Sequence, residues 1–174
     1  MALYSASVEY GLHCLLYLVD ASTDAWISSV DLAEFQGISP SYVAKLCSRL
    51  TRAGLVVASE GAQGGYRLAR PATRITVLDV VEALEGHKPL FLCQEIRSRC
   101  ALFADRPPAW ANQGPCSIHA VMLQAETQMK QSLASHTLAD LSARLARKAP
   151  KTFAIDVAAW FADRKAAKAR GQTK

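Results

Sequence analysis

The first twenty residues of the chain carry a helical pattern of apolar positions. Apolar side chains recur three or four residues apart, as on one buried stripe of a helix: Val8, Leu12, Leu15, Leu16 and Val19. Glu9 and His13 are four residues apart and therefore lie together on a neighbouring face. The segment predicts an amphipathic first helix that presents a carboxylate and an imidazole side by side.

Two shorter helices joined by a tight turn are predicted next. Ser28 followed by Asp31 has the spacing of a capped helix start, and Gly37 is typical of a helix end. Ser39 as N-cap and Pro40 at the first helical position then start the following helix. The apolar side of the first of these helices consists of Val30, Leu32, Ala33 and Phe35. This arrangement predicts a helix-turn-helix.

The second of these helices, predicted over about residues 40–53, divides into two faces. Its apolar positions are Val43, Leu46, Cys47 and Leu50. The outer face is predicted to consist of Ser41, Tyr42, Lys45, Ser48, Arg49 and Arg52. Hydroxyls, a phenol and cations are groups that contact phosphates and base edges in a DNA groove, whereas the alternative is an ordinary amphipathic surface helix.

A glycine-rich hairpin follows the helix-turn-helix. Strands are predicted at residues 55–59 and 66–69, and Gly61, Gly64 and Gly65 permit a tight turn with close backbone approach. A hairpin in this position is a wing, whose polar contacts to DNA come from Gln63 and Arg67. A phosphate-binding loop is the weaker interpretation, because the chain has no G-x-x-x-x-G-K-[ST] motif there.

Four further helices are predicted after the wing. Thr76 with Asp79 starts one helix that ends at Gly86, and Thr137 with Asp140 starts another that ends at about residue 147. Between them a long helix starts at Pro115, with one apolar face formed by Ile118, Val121, Met122, Ala125, Met129 and Leu133. We expect this face to pack in a homodimer, the alternative being its own domain. After Pro150 an amphipathic helix has Phe153, Val157, Trp160 and Phe161 on one side.

The charge pattern favours a nucleic-acid partner in two segments of the chain. The net charge is +5, and residues 39–74 hold six basic side chains against one acidic side chain. Residues 144–174 hold nine basic and two acidic side chains, which fits either phosphate contact or a solvated helix end. A length of 174 residues predicts one domain or one domain with an accessory element.

Cysteine usage points to metal or redox chemistry. The chain shows no secretory signal pattern and no apolar run of about 18 residues, so we expect a cytoplasmic protein without a membrane span. In that compartment, clustered cysteines more often bind metal or react with oxidants than form disulfides. Cys93, Cys100 and Cys116 are separated by six and fifteen residues, which is not a C-x-x-C spacing. Cys14 and Cys47 lie on apolar faces and are expected to be inert packing residues.

Several sequence motifs together resemble a known family of winged-helix transcription regulators, which includes the iron–sulfur sensors IscR, NsrR and RsrR. The matching stretches are SVEYGLHCLLYL, DLAEFQGISPSYVAKLCSRLTRAGLV, GGYRLARPATRITVLDVVEALEG and CSIHAVM. The resemblance implies a mainly α fold with a small β-hairpin wing, a long dimerisation helix and a homodimer on double-stranded DNA. It divides the chain into a winged helix-turn-helix domain (1–87), a cysteine-bearing cluster loop (88–115), a dimerisation helix with its following helix (116–148) and a basic C-terminal extension (149–174).

The resemblance also implies residue roles. The implied operator contacts are Ser39, Ser41, Tyr42, Lys45, Arg49 and Arg52 on the helix, with Gln63, Gly64, Gly65 and Arg67 in the wing. One implied ligand set for an iron–sulfur cluster, 2Fe–2S rather than 4Fe–4S, is Cys93, Cys100, Cys116 and His119. The alternative takes two of the three cysteines together with Glu9 and His13 of the partner subunit. The unequal cysteine gaps depart from the commonest family pattern, which leaves open whether all three thiols are ligands.

We therefore predict a DNA-binding repressor, not an enzyme, whose operator affinity depends on an iron–sulfur cluster that senses redox state, nitric oxide or iron–sulfur status. One alternative is a thiol-based or ligand-responsive winged-helix regulator without a cluster. A further alternative is an iron–sulfur electron-transfer enzyme. The chain has no nucleotide-binding fingerprint, catalytic-triad-like set or C-x-x-C motif in favour of that enzyme.

Overall fold

The structure, a computed structural model, describes residues 2–20, 26–61, 64–103 and 106–171. The described helices are α1 (Ala6–Asp20), α2 (Ser29–Gln36), α3 (Pro40–Arg52), α4 (Val77–Glu85), α5 (Ala109–Asn112), α6 (Ser117–Ala134), α7 (Leu138–Lys148) and α8 (Phe153–Gly171). The strands β1 (Val56–Ser59) and β2 (Gly65–Leu68) form one antiparallel hairpin. This architecture confirms the predicted fold class, mainly helical with a small hairpin wing.

The chain forms two compact units. The winged-helix unit comprises Met1–Gly86 together with Leu133–Lys174, and the cysteine unit comprises His87–Ser132. Short 3₁₀ segments add Ala72–Arg74 to the first unit and Ile96–Arg99 and Ala101–Phe103 to the second. No helix in the described ranges is long and apolar enough to cross a membrane.

The core of the winged-helix unit lies between α1, α3, α4 and the wing. Its fully buried large side chains are Leu15, Leu32, Val43, Leu46, Leu50, Leu55, Val56, Ile75, Val80 and Leu138. The apolar stripe predicted for α3 is buried as expected. Val30 on α2 was predicted to face the core, and this was wrong, because its side chain is 51% exposed. Since α2 buries Leu32 and Ala33, Val30 is turned to the opposite side of the helix.

Local hydrogen bonds set the predicted starts of α2, α4 and α7 and the end of α2, whereas Ser39 precedes α3 without a side-chain cap hydrogen bond. The Ser28 hydroxyl accepts from the Asp31 backbone N–H at 3.1 Å, and Gly37 ends α2 in the left-handed conformation. Complete capping boxes at Thr76–Asp79 and Thr137–Asp140 start α4 and α7. Short-range sequence signals therefore determine where these elements begin. The long helix α6 begins at Ser117, two residues after the predicted Pro115 start.

The wing is a hairpin with a third chain segment against it. β1 begins one residue later than predicted, β2 begins and ends one residue earlier than predicted, and Val57 pairs with Arg67. Ile27 exchanges two backbone hydrogen bonds with Tyr66, at 2.8 and 3.2 Å, and so adds a bridge along β2. A Cβ atom on Gly65 would lie only 2.5 Å from the Ile27 carbonyl oxygen. Glycine at this position is therefore required for the segment at residue 27 to approach the wing.

An aromatic cluster joins α8 to α1 and α2. The ring of Phe35 lies 4.7 Å from that of Tyr17, 4.9 Å from that of Trp160 and 5.1 Å from that of Phe161, measured between centroids. These separations are typical of packed aromatic pairs. The predicted apolar side of the C-terminal helix is confirmed at Val157, Trp160 and Phe161, whereas Phe153 at its first turn is exposed.

Ion pairs extend this contact along the whole of α2. Arg164 pairs with Glu34, and the Lys168 Nζ lies 2.5 Å from the Asp31 carboxylate and 2.9 Å from the Ser28 hydroxyl. Trp160, Arg164 and Lys168 follow one another at single-turn spacing, while their partners on α2 occur in descending order. The helix α8 therefore runs antiparallel along α2 and covers it.

The cysteine unit has little buried surface of its own. Within its described residues only Ala111 is buried, and α6 has no buried residue. Large apolar side chains are exposed along the loop and on α6: Leu92, Ile96, Leu102, Trp110, Ile118, Val121 and Leu123. On the apolar face predicted for the long helix, Ile118 and Val121 are thus exposed, whereas Met122, Ala125, Met129 and Leu133 are half-buried.

Candidate nucleic-acid interface and metal centre

The N-terminal part of α3 exposes the polar groups predicted to contact DNA. Ser39, Ser41 and Lys45 are exposed, and the two serine hydroxyls lie 2.8 Å apart. Tyr42 was predicted on the outer face but is half-buried. Its ring packs edge-to-face on Tyr10 of α1 at 5.9 Å, so the side chain connects α3 to the core while exposing part of its surface.

The six basic side chains of residues 39–74 separate into two groups. The Arg49 guanidinium donates to the Leu84 carbonyl oxygen at 2.6 Å, and Arg70 pairs with Asp79 at 3.0 Å, so these two cations bind within the winged-helix unit. The other four have no side-chain hydrogen bond or ion pair to any described residue: Lys45, Arg52, Arg67 and Arg74. The cations of the second group are therefore better placed to contact phosphates than Arg49 and Arg70. Arg49 was predicted to contact DNA together with Arg52.

The structure describes three of the four wing residues that were predicted to contact DNA. Gln63 lies outside the described residues. Gly64 and Gly65 stand where the chain backbone packs tightly, since a Cβ on Gly64 would lie 2.2 Å from the Ser59 carbonyl oxygen. Arg67 is exposed, with its guanidinium 4.5 Å from the centre of the Trp26 ring. The Trp26 contact was missed by sequence reasoning, because it depends on the pairing of Ile27 with Tyr66.

A group of possible metal ligands lies in the cysteine unit. One ligand atom each from Cys93, Glu95 and His119 lie within 4.8 Å of one another. Two of these three residues were predicted as ligands, whereas Glu95 was missed. Glu95 adopts a left-handed backbone conformation with φ of 48°, which is uncommon for a residue with a side chain. Its one sequence signal is its position two residues after a candidate cysteine.

Arg97 holds the Glu95 carboxylate in this group. The Arg97 guanidinium donates to the carboxylate at 3.0 Å and also to the Gly114 carbonyl oxygen. A hydrogen bond from the Cys93 thiol, at 3.4 Å, and the one from Arg97 lower the pKa of Glu95. The Glu95 backbone hydrogen bond lowers the pKa of Cys93, but desolvation and the carboxylate outweigh it and raise that pKa overall. The carboxylate is therefore ionised and directed at the thiol.

His119 has a ring nitrogen that fits a metal ligand. Its Nδ1 atom is buried and has no hydrogen-bond partner among the described residues. The ring lies 6.0 Å from that of Phe91, and its backbone N–H donates to the Cys116 Sγ at 3.4 Å. A buried imidazole nitrogen without a partner is costly unless it binds a ligand. Thiolate, carboxylate and imidazole together suit zinc or an iron–sulfur cluster with mixed ligands.

The other two loop cysteines differ in their surroundings. Cys116 is half-buried directly before α6 and lines, with Cys93 and Glu95, a mainly apolar cavity of about 620 Å³. Cys100 is exposed and lies outside the group formed by Cys93, Glu95 and His119. The structure thus brings three of the four predicted local ligands, Cys93, Cys116 and His119, close together within the unit.

Cys14 and Cys47 are buried in the winged-helix core, as predicted. Burial raises the pKa of Cys14 to about 11 and that of Cys47 to about 12. The Gln36 side chain donates to the Cys14 Sγ at 3.0 Å. Both thiols are kept protonated by their surroundings, which makes them poor nucleophiles.

The alternative ligands on α1 are both accessible. Glu9 and His13 are exposed on the same face of the helix, as predicted, and the His13 ring stacks on Tyr17 at 6.4 Å. Neither belongs to the group around Cys93 within this chain.

Comparison with known proteins identifies relatives of the chain. The family model of Rrf2, described as an iron-dependent transcriptional regulator, matches residues 4–144. The structure resembles CymR (YrzC), the global cysteine regulator of B. subtilis, with 25% identity, a TM-score of 0.64 and coverage of 83% of this chain and 98% of that one. It also resembles T. potens IscR, with 28% identity, a TM-score of 0.57 and coverage of 80% and 85%. The oxidised form of Staphylococcus aureus CymR matches at 25% identity and a TM-score of 0.58, with coverage of 82% and 96%.

Proposed function

The chain belongs to the Rrf2 family of transcriptional regulators, and from this premise we propose that it is a homodimeric repressor controlled by an iron–sulfur cluster. It acts in the cytoplasm on double-stranded operator DNA. The observation that carries the proposal is the convergence of Cys93, Glu95 and His119 with an unpartnered, buried imidazole nitrogen. Regulators of this family are not enzymes, and the site is a sensor.

The exposed groups of α3 support DNA recognition. In a helix-turn-helix, the N-terminal residues of the second helix contact base edges, while flanking cations bind phosphates. Ser39, Ser41 and Lys45 occupy the first of these positions in this chain, and Arg52 at the end of α3 occupies the second. Arg67 provides a further cation for phosphate contact on the wing.

The exposed apolar face of α6 supports the homodimer. This face runs from Ile118 to Leu133, its Ile118 and Val121 side chains are 65% and 62% exposed, its other members are half-buried, and no residue of α6 is buried. An apolar helix face of this length favours a second helix against it. In a two-fold dimer this face meets its own copy, which sets the separation of the two α3 helices on the operator.

The donor set in the cysteine unit fits a 2Fe–2S cluster with non-thiolate ligands. Such a cluster supplies a reversible one-electron change, and neutral imidazole ligation raises its reduction potential relative to all-thiolate ligation. His119 presents its buried Nδ1, Cys93 and Cys116 present thiolates, and Arg97 fixes the Glu95 carboxylate beside them. A difference of one to two kcal/mol in operator binding between two states changes occupancy about 5- to 30-fold, which suffices for regulation.

Anaerobic purification tests the proposal. We expect iron, acid-labile sulfide and visible charge-transfer absorption, together with tight binding to a duplex enriched from a random DNA pool. Oxidation or removal of the iron should change the affinity for this duplex at least 5-fold. Protein that binds the duplex but contains neither iron nor sulfide contradicts the cluster and leaves the DNA-binding function standing.

Single substitutions distinguish the two ligand sets. The variants are Cys93→Ala, Cys100→Ala, Cys116→Ala, His119→Ala, Glu95→Ala, Glu9→Ala and His13→Ala, with Gln113→Ala as an exposed control in the cysteine unit. Loss of the normal spectrum in His119→Ala and its retention in Glu9→Ala and His13→Ala supports local ligation. The reverse result supports ligation by Glu9 and His13 of the partner subunit.

A thiol switch without a cluster is the second candidate function. Its basis is the presence of three free cysteines in one unit, together with the similarity to the B. subtilis cysteine regulator CymR and to the oxidised form of Staphylococcus aureus CymR. Mass spectrometry of oxidised, iron-free protein separates the two candidates. A Cys93–Cys100 or Cys100–Cys116 disulfide that changes DNA affinity supports the thiol switch.

A further inference from the structure

Three side chains at the wing, those of Trp26, Arg67 and Val57, form a row across three neighbouring chain segments. Ile27 pairs with Tyr66, and Tyr66 pairs with Ala58, in two antiparallel ladders. One residue along each segment, Trp26 therefore lies opposite Arg67, which pairs with Val57. Side chains opposite one another in a sheet project from the same face, because side-chain direction alternates along each strand. Arg67 is the middle member of this row.

The Arg67 guanidinium lies over the face of the Trp26 indole, with the carbon of the guanidinium 4.5 Å from the ring centre. This is a cation–π contact. Arg67 is exposed, and its side chain has no hydrogen bond or ion pair to any described residue. Stacking uses the flat face of the guanidinium and leaves its N–H groups free to donate to an acceptor in the same plane.

The surrounding backbone makes this placement firm. The Ile27 segment lies so close to β2 that only glycine fits at position 65, and Ile27 itself is buried. Trp26 is thus attached to the wing through the adjacent residue and lies two residues before Ser28, the N-cap of α2. The stacked pair holds the cation at a fixed position relative to the helix-turn-helix.

We propose that Trp26 is a positioning residue for DNA binding, which orients Arg67 so that its N–H groups contact phosphate oxygens beside the wing. The proposal rests on the proposed DNA-binding function but not on the cluster. A guanidinium that is already held in place loses less side-chain freedom on forming these hydrogen bonds than a mobile guanidinium does. Of the described basic residues of the wing region, Arg67 suits this role, whereas Arg70 is paired with Asp79.

A double-mutant cycle tests the proposal by fluorescence anisotropy on a duplex enriched from a random pool with the wild-type protein. Trp26→Ala should weaken binding about 2- to 5-fold, the range of an exposed cation–π contact. Arg67→Ala should weaken it further and lower the slope of log affinity against log salt by about 1. In the Arg67→Ala background, Trp26→Ala should have no further effect.

Matched variants separate positioning from a general loss of structure. Trp26→Phe keeps an aromatic face and should retain part of the affinity, and Arg67→Lys keeps the charge without the planar stack and should bind more weakly than wild type. Trp110→Ala removes a tryptophan in the cysteine unit that is more exposed than Trp26, and it should leave affinity unchanged. Thermal unfolding of each variant monitors the fold.

Two results overturn the proposal. One is a Trp26→Ala loss of equal size with and without Arg67, which indicates a structural role for the indole. The other is unchanged affinity in Trp26→Ala. Failure of the wild-type protein to enrich any duplex overturns the DNA-binding function together with this proposal, and is recognised before any variant is made.

Discussion

The winged-helix unit and the cysteine unit differ in how far their side chains are buried and find partners within the unit. In the first, a continuous core is fully buried, the starts of α2, α4 and α7 are capped, and even the cations Arg49 and Arg70 bind within the unit. In the second, one described residue is buried, large apolar side chains are exposed, and the His119 Nδ1 has no partner among the described residues. The first unit has the contacts that a stable fold requires. The second has exposed apolar side chains and an unpartnered ring nitrogen, which are suited to contact a partner or a ligand.

In the function proposed above, this difference separates stability from sensing. Core burial stabilises the winged-helix unit, and it does not depend on the thiols of the cysteine unit. A change of ligand or oxidation state at Cys93, Glu95 and His119 acts on a unit with little packing to disrupt. The regulatory free energy can therefore be altered without unfolding the part that contacts DNA.

The largest expected contrast between the units is in thiol reactivity. At pH 8, the raised pKa values of about 11 for Cys14 and about 12 for Cys47, against an ordinary 9.0, lower their thiolate fractions about a hundredfold and a thousandfold. Iodoacetamide should therefore modify Cys93, Cys100 and Cys116 in iron-free protein and spare the two core thiols, as read by mass spectrometry. Raising the pH increases the thiolate fraction at the core positions. Early modification of Cys47 at pH 8 contradicts its burial.

The next contrast concerns the free energy of unfolding. Leu50→Ala removes a fully buried side chain from the winged-helix core and should cost about 2–5 kcal/mol in urea unfolding. Leu102→Ala, in the cysteine unit, removes a side chain that is 89% exposed and should change stability by less than about 0.5 kcal/mol. Similar losses in the two variants show that the cysteine unit has a core of its own.

The smallest effect tests whether α8 belongs to the winged-helix unit. Lys168→Ala removes the partner of the buried Asp31 carboxylate and should destabilise the protein by about 1 kcal/mol, since Lys168 is partly exposed and Ser28 still donates to Asp31. Lys165→Ala is the matched control on the same helix and should lie within about 0.5 kcal/mol of wild type. Equal stabilities for both variants would show that the contact of Lys168 with Asp31 does not stabilise the packing of α8 on α2.

The sequence predicted the elements whose determinants are local. Gly37, Ser28 and the two Thr–Asp capping pairs specify helix bounds through contacts within four residues, so these predictions are confirmed. Glu95 was missed because its approach to His119 requires a left-handed residue within an irregular loop. The exposure of Val30 and the half-burial of Tyr42 depend on how α1, α2 and α3 pack, which periodicity alone does not determine.

The Trp26–Arg67 pair was beyond sequence reasoning for a similar reason. Both residues are visible in the sequence, and Arg67 was predicted to contact DNA, but no local pattern places residue 26 beside residue 67. Their contact follows from the bridge between Ile27 and Tyr66 and from the absence of a side chain at Gly65. Non-local strand pairing sets such contacts, and a single sequence specifies it weakly.

The covering of α2 by α8 also has a consequence for the order of folding. Lys168 and Asp31 are 137 positions apart in a chain of 174 residues, so their contact closes a long loop. Contacts between distant positions form late, because the entropy of loop closure opposes them. Until residues 160–168 dock, Phe35 lacks two of its ring neighbours. The helix-turn-helix thus reaches its final packing only after the C-terminal segment has been synthesised and has returned to it.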